Sequence, residues 1–277
     1  ATAFSYNNLG DVYRQQNNYV KALEFYKTSL SINVKTKDKR GMGFNYTDLG
    51  ETYRLQKDYL LATKNLQKGL EVRQQIKDKS GIAESNLHLG KVALGQQKLD
   101  LAKIYFEKAL NLRQAMGEQS RSAEVWVSLG IAYFIQENDL KAQEHLEKGV
   151  KIAFNTGNPA IIRDGTEYLA KTYQRTGNLQ KALDNQIIFK KMTDSLLNAQ
   201  NIRRITRLQT QFSAQKREDS LRLDQAKKEA QLKADIEQRK ARQQTTYVGL
   251  GLSIALMVVL LFFYRSTRRN NQKLNIA

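Results

Sequence analysis

Small and apolar residues recur along the first two-thirds of the chain at a fixed interval of 40 positions. Leu9-Gly10, Leu49-Gly50, Leu89-Gly90 and Leu129-Gly130 stand in strict register, and a fifth copy reads Leu169-Ala170. Three residues beyond the Gly or Ala come Tyr13, Tyr53, Ala93, Tyr133 and Tyr173, and twelve beyond come Ala22, Ala62, Ala102, Ala142 and Ala182. A fixed period of this length marks stacked supersecondary units, each unable to bury its apolar face alone. The pattern predicts five helical hairpins over residues 3–40, 43–80, 83–120, 123–160 and 163–192. Asn17-Asn18, Lys57-Asp58, Gln97-Lys98, Asn138-Asp139 and Gly177-Asn178 mark the turns within hairpins. Lys37-Asp38-Lys39, Lys77-Asp78-Lys79, Gly117-Glu118-Gln119 and Thr156 to Pro159 mark turns between hairpins, following lengthened second helices.

Small residues at Gly10 and Ala22 let two antiparallel helices approach near the lower end of the ~8–10 Å range. Tyr13 and Tyr26 then fill the space between one hairpin and the next. A Leu at position 102 is expected to cost roughly 1–3 kcal/mol by overpacking.

These residues carry a resemblance to the tetratricopeptide-repeat family, whose pattern is an aromatic, Leu-Gly, a Tyr, a later Ala, and then an apolar and a small residue. The aromatic position reads Tyr6, Tyr46 and Trp126, with Asn86 and Thr166 departing from it. The later pair reads Tyr26/Ser29, Leu66/Gly69, Phe106/Ala109 and Leu146/Gly149, and degenerates to Gln186/Phe189 in the fifth copy. The resemblance implies an all-α superhelical solenoid whose first helices line a groove for a protein or peptide ligand. Its inward positions lie two before, two after, five after and six after the Leu. They give Asn7, Asp11, Arg14, Gln15, Thr47, Glu51, Arg54 and Leu55, then Leu87, Lys91, Leu94, Gly95, Val127, Ile131, Phe134 and Ile135. The first half is polar and charged and the second apolar, which suits a ligand with an apolar anchor and a polar flank. Leu94, Val127, Ile131 and Phe134 are the candidate anchor pocket; the alternative is that they only pack on adjacent helices. The Lys and Asn tetrad with which some family members clamp a terminal carboxylate has no counterpart here.

Beyond the repeats, residues 196–244 run without Pro or Gly and are rich in Gln, Lys, Arg, Glu and Ala, so residues 195–246 read as a long helical stalk starting at Asp194-Ser195. Ile202, Ile205, Leu208 and Phe212 keep the spacing of a coiled-coil seam, but the register then meets Gln215, Asp219 and Arg222. A homodimer through the stalk and a single solvated helix both fit. Tyr247 to Tyr264 holds no charge, and eleven of its eighteen residues are Leu, Ile, Val or Phe. These supply about −3 to −6 kcal/mol for insertion. At 1.5 Å per residue the stretch covers ~27 Å of the ~30 Å hydrocarbon core. It is therefore expected to cross a lipid bilayer, with Tyr247 and Tyr264 at the two interfaces.

The net charge of +18 raises the question of nucleic acid, but its distribution argues against it. The net is +8 over residues 1–194, +6 over 195–246 and +4 over 247–277, with no dense basic stripe interleaved with aromatics. Arg265, Arg268, Arg269 and Lys273 follow the span with no acidic residue, favouring a cytoplasmic stub over 265–277 and periplasmic repeats. There is no cysteine. His88 and His145 form no metal-binding spacing, so no cofactor, metal or catalytic residue is expected. The chain opens on Ala1 and closes thirteen residues past the span, as expected for a piece of a longer protein. Repeats, stalk, one span and a basic start resemble the input half of bacterial membrane sensors in which such repeats precede a histidine kinase or another output domain. A membrane-tethered scaffold for complex assembly, with no signal crossing the bilayer, is the competing reading.

Overall fold

The computed structural model describes residues 2–274, which are almost wholly helical, with no strand among them. By its contacts the chain divides into Ala1–Gln200 and Asn201–Ala277.

In the first unit the helices come in antiparallel pairs: α1 (Ala3–Gln15) with α2 (Tyr19–Lys35), α3 (Lys39–Leu55) with α4 (Tyr59–Gln75), and α5 (Lys79–Gly95) with α6 (Leu99–Ala115). A short 3-10 turn (Gln119–Ser122) leads into α7 (Ala123–Ile135), which pairs with α8 (Asp139–Thr156). The fifth pair is α9 (Pro159–Arg175) and the start of α10 (Leu179–Leu274).

One turn chemistry joins them all. The middle residue of each connection is left-handed: Asn17, Lys37, Lys57, Lys77, Gln97 and Glu137 have φ between 55° and 63°, and Gly117, Gly157 and Gly177 stand in the same place. The next residue's N–H reaches back to the carbonyl five positions earlier, as from Asp58 to Tyr53 (2.9 Å) and Asn178 to Tyr173 (2.8 Å). This closes the C-terminus of one helix. The same residue's side chain then accepts from the first turn of the next helix, as Asp38 does from Gly41 N–H (3.0 Å) and Asp58 from Leu61 N–H (3.0 Å). One Asn or Asp thus ends one helix and starts another, except at Lys98 and Glu118, which stand in the same place and make no side-chain cap. Helices of 17 residues joined by three-residue turns give a spacing of about twenty, two of which make the 40-residue period. Beside the basic repeat of about 34 residues, the additional residues of each unit therefore lengthen first and second helices alike, not the second alone. Lys39, read from sequence as part of a turn, is already helical because Asp38 caps ahead of it.

Within each pair the glycine of the first helix receives one large residue of the second. A Cβ at Gly50 would stand 2.5 Å from Leu66 Cγ, and one at Gly130 would stand 2.5 Å from Leu146 Cγ. Tyr26 fills the same place over Gly10, and Phe106 over Gly90. Ala22, Ala62, Ala102 and Ala142 are fully buried beside them. In the fifth pair Gln186 is exposed and Ala182 only partly buried, in keeping with its degenerate sequence. Successive first helices touch one another, whereas successive second helices do not, so the first helices line the inner face.

The joints between pairs hold a polar layer that grades into an apolar one. Asn33 donates to Asn45 (2.6 Å), which in turn donates to Asn7 (2.6 Å) and Ser29 (2.9 Å). One repeat on, Arg73 is 1% exposed and donates to the Gly81 carbonyl (2.8 Å), Ser85 Oγ (3.0 Å) and Glu84 (2.9 Å). Two repeats further, Ala153 occupies the equivalent site and packs with Ala123 and Ile162.

In the second unit the described residues from Asn201 form a single helix, and every side chain described is exposed. Ile202, Ile205, Leu208 and Phe212 are among these exposed residues. The helix carries an 18-residue window of mean hydropathy 2.3, none of it buried. Asp194-Ser195 does not start a helix: α10 is helical straight through it, since no left-handed turn interrupts the backbone there. The side chains of Tyr264, Arg268, Arg269 and Lys273 lie outside the described residues.

Candidate functional site

The inner face carries a ladder of side chains that crosses from repeat to repeat. At its start, Arg14 donates to Asp11 (2.9 Å) and lies 3.9 Å from Asp48 of the next pair. Asn7 donates to Asp48 (3.1 Å), and Tyr26 donates to Asp11 (2.7 Å). The next rung is Glu51, gripped by Arg54 through two hydrogen bonds (2.8 and 2.7 Å) and by His88 Nδ1 (3.1 Å) from the following pair. A third rung joins Lys91 to Glu124 (2.5 Å).

Burial works differently on the two central acids. It pushes the Asp48 carboxyl up to about 6, against the pull of Arg14. Burial also opposes ionisation of Glu51, but the hydrogen bonds from Arg54 and His88 override it and hold that carboxyl well below the usual range. Glu124 is likewise held low by Lys91, again against burial. Burial and the bond to Asp11 push the Tyr26 phenol up.

The ladder gives way to an apolar end. Leu94, Ile131 and Phe134 are half-buried against the largest core cluster. Phe134 meets Tyr168 edge-on at 5.4 Å, and the Arg175 guanidinium lies 4.1 Å from the Phe134 ring centre.

Of the positions named from sequence, Asn7, Asp11, Arg14, Glu51, Arg54, Lys91, Leu94, Ile131 and Phe134 all keep part of their surface. Thr47, Leu87 and Val127 do not: they are 5%, 2% and 3% exposed. In the second to fourth repeats the residue two before the Leu faces the neighbouring helices, so Val127 sits against Gly149 and Gly165 while the Thr47 hydroxyl bonds its own helix at Gly43 (3.1 Å). These three are core residues and cannot touch a ligand in this conformation. Asp48, His88, Glu124 and Tyr168 were missed. The first two directly precede a Leu-Gly pair, and a charged or polar residue recurring beside that pair is the signal that marks them. Among the described residues no group of three His, Cys, Asp or Glu side chains converges on a metal position. The face offers ion pairs, carboxamides and apolar contacts, which is the chemistry of recognition.

A family described as tetratricopeptide repeat matches residues 1–75, 42–115 and 81–155. No curated protein matches the sequence. Among solved structures, BtubC from P. vanneervenii is similar at 21% identity and a TM-score of 0.58, over 68% of this chain and 78% of that one. A Rap protein complexed with competence and sporulation factor is similar at 13% identity and a TM-score of 0.63; the match covers 69% of this chain and 54% of the Rap protein. A putative kinesin light chain repeat protein from Podosopora anserina is similar at 18% identity and a TM-score of 0.53, over 69% of this chain and 95% of that one. The likeness is one of fold.

Proposed function

Since the chain belongs to the tetratricopeptide-repeat family, whose fold serves protein–protein interaction, we propose that its inner face binds an extended polypeptide and that its apolar helix anchors it in a membrane. One observation carries the reading. The half-buried ladder from Asp11 to Glu124 runs directly into the apolar surface of Leu94, Ile131 and Phe134 on the same helices. Half-buried charges with oriented donors recognise a polar flank, and an apolar patch beside them supplies the anchor. The Rap neighbour, whose fold is alike, was crystallised with competence and sporulation factor, which supports a ligand-binding role for this fold.

The finer reading is the sensory input region of a bacterial signal-transduction protein of histidine kinase type, with periplasmic repeats and a cytoplasmic C-terminus. Residues 247–264 would cross the bilayer, and Arg265 and the basic residues after it favour the cytoplasmic side. Ligand binding would shift the population of stalk conformers that an output domain reads. A homodimer through Ile202, Ile205, Leu208 and Phe212 is part of this reading. The alternative is a tethered scaffold that gathers proteins without signalling.

The test is partner capture by the full chain in native membranes, comparing wild type with the Ile131→Ser/Phe134→Ser double variant. Loss of a specific partner from a variant that keeps its helical circular dichroism supports the reading. Undiminished capture of the same partner refutes it.

A further inference from the structure

Arg73 and Arg113 occupy the same place in successive repeats, and only the first is satisfied. Arg73 bonds the Gly81 carbonyl, the Ser85 hydroxyl and the Glu84 carboxylate. Forty residues on, these partners become the Arg121 carbonyl, Val125 and Glu124. The carbonyl bond survives, from Arg113 Nη1 to Arg121. The hydroxyl is gone, and Glu124 is taken by Lys91 at 2.5 Å. Arg113 is therefore 8% exposed with Nε unpartnered and no carboxylate at ion-pair distance among the described residues. A buried guanidinium with no directly bonded anion is costly even though Glu124, Glu118 and Glu84 attract it through space, and an entering oxyanion would recover part of that cost.

Arg113 lines a cavity of about 330 Å³ together with Arg40 and Arg121, with Phe44 as one wall. Asp78 and Glu84 also line it but are engaged: Asp78 caps Gly81 N–H (2.9 Å) and Glu84 holds Arg73. Glu118 stands nearby, one oxygen 3.6 Å from Arg121 and the other without a partner. Arg121 also donates to Ser80 (3.0 Å). Phe44 and Arg40 are shared with a larger cavity of about 590 Å³ lined by Asn7, Asn8, Asn33 and Asn45; Asn7, Asn33 and Asn45 bond one another, and the Asn8 carboxamide is exposed. Carboxamides donate and accept at once, as a peptide backbone requires.

We propose that the Arg40–Arg113–Arg121 niche is an oxyanion site that takes a carboxylate presented by a bound polypeptide, its backbone lying over Phe44 toward the asparagines. The ligand carboxylate does for Arg113 what Glu84 does for Arg73. The proposal rests on the inner face being a polypeptide site, and it adds a chemical class: an acidic peptide.

The test uses the full chain in neutral detergent micelles, with a fluorescein-labelled hexaglutamate peptide followed by anisotropy. Hexaglutamine is the uncharged control and inorganic phosphate the competitor. Hexaglutamate binds the wild type and hexaglutamine does not. Arg40→Gln and Arg121→Gln, both at exposed positions, each weaken binding about tenfold, the equivalent of ~1.4 kcal/mol. Val125→Ser, which returns to Arg113 the hydroxyl that Arg73 has, also weakens it. A stalk variant, Lys227→Gln/Lys228→Gln, leaves binding unchanged and so separates the niche from general attraction to a basic chain. Equal affinity in the arginine variants, equal loss in the stalk variant, or no binding by the wild type overturns the site. Full displacement by equimolar phosphate overturns the assignment to a polypeptide in favour of a free anion. The Ile131→Ser/Phe134→Ser variant keeps hexaglutamate binding, so failure of the apolar anchor and failure of the niche are read separately.

Discussion

Gly90 faces the Phe106 ring so closely that a Cβ there would stand 2.5 Å from Phe106 Cδ1. The whole approach of α5 to α6 depends on that missing methyl. Gly90→Ala gains up to ~1 kcal/mol of helix propensity but forces the ring or the helix axis to shift, at ~1–3 kcal/mol. The net expectation is a loss of roughly 1–2 kcal/mol, read as a lower urea midpoint by fluorescence of Trp126, the sole tryptophan. Gly90→Ala combined with Phe106→Leu does not restore it, because a Cβ over the leucine of the Gly50 and Gly130 pairs would likewise stand 2.5 Å from Cγ.

Lys57 holds a left-handed conformation with φ of 63° at the turn between α3 and α4. An L-residue there costs roughly 1–2 kcal/mol, whereas glycine does not. Lys57→Gly raises stability by about 0.5–1 kcal/mol after its greater unfolded-state entropy is subtracted. The equivalent Gly177→Lys lowers it, and thermal unfolding of the two variants separates the signs.

Arg73 is buried against Phe44, with three hydrogen-bonding partners. Arg73→Ala empties a fully buried site and leaves the Gly81 carbonyl without its donor, while the partly exposed Glu84 is hydrated, for a loss of about 2–4 kcal/mol. Lysine cannot reproduce the forked geometry, so Arg73→Lys recovers less than half of it. Hydrogen exchange at the joint of α4 and α5 reports the loss locally.

Asp48 gives the fold a pH dependence whose sign follows from its raised carboxyl. Its folded value is about 6, against an ordinary 3.8. Between these pH values the unfolded chain releases the proton that the folded chain keeps, so this group's contribution is present below about pH 4 and is lost as pH rises through 6. Asp48→Asn removes the cost of burying the charge and keeps the carboxamide within reach of Asn7. It raises stability at pH 7.5 by on the order of 1–2 kcal/mol, read as a higher melting temperature, and leaves it unchanged near pH 4. An equal shift at both pH values contradicts the assignment.

Much of the repeat architecture is legible in the sequence because close helix approach admits so few residue types. Gly50, Gly90, Ala62 and Ala102 mark the pairs with no knowledge of the rest. The inner face is legible in part. Asp11, Arg14, Glu51, Arg54 and Lys91 follow from counting along a helix, but the same counting puts Thr47, Leu87 and Val127 on the inner face, where neighbouring helices in fact bury them. Asp48 and His88 are marked only by their place beside a Leu-Gly pair and Glu124 by nothing local, because each takes its role from a partner 33–37 positions away. The satisfied Arg73 and the unsatisfied Arg113 look alike in sequence. Only the change from Ser85 to Val125 and the diversion of Glu124 to Lys91 tell them apart.

The most direct measurement of polypeptide binding on the inner face places a photo-crosslinking phenylalanine at position 131 and, separately, at exposed position 64 on α4, in the full chain in native membranes. A discrete protein adduct at position 131, absent at position 64, is the predicted result. Adducts of equal yield at both positions, or at 64 alone, would contradict it.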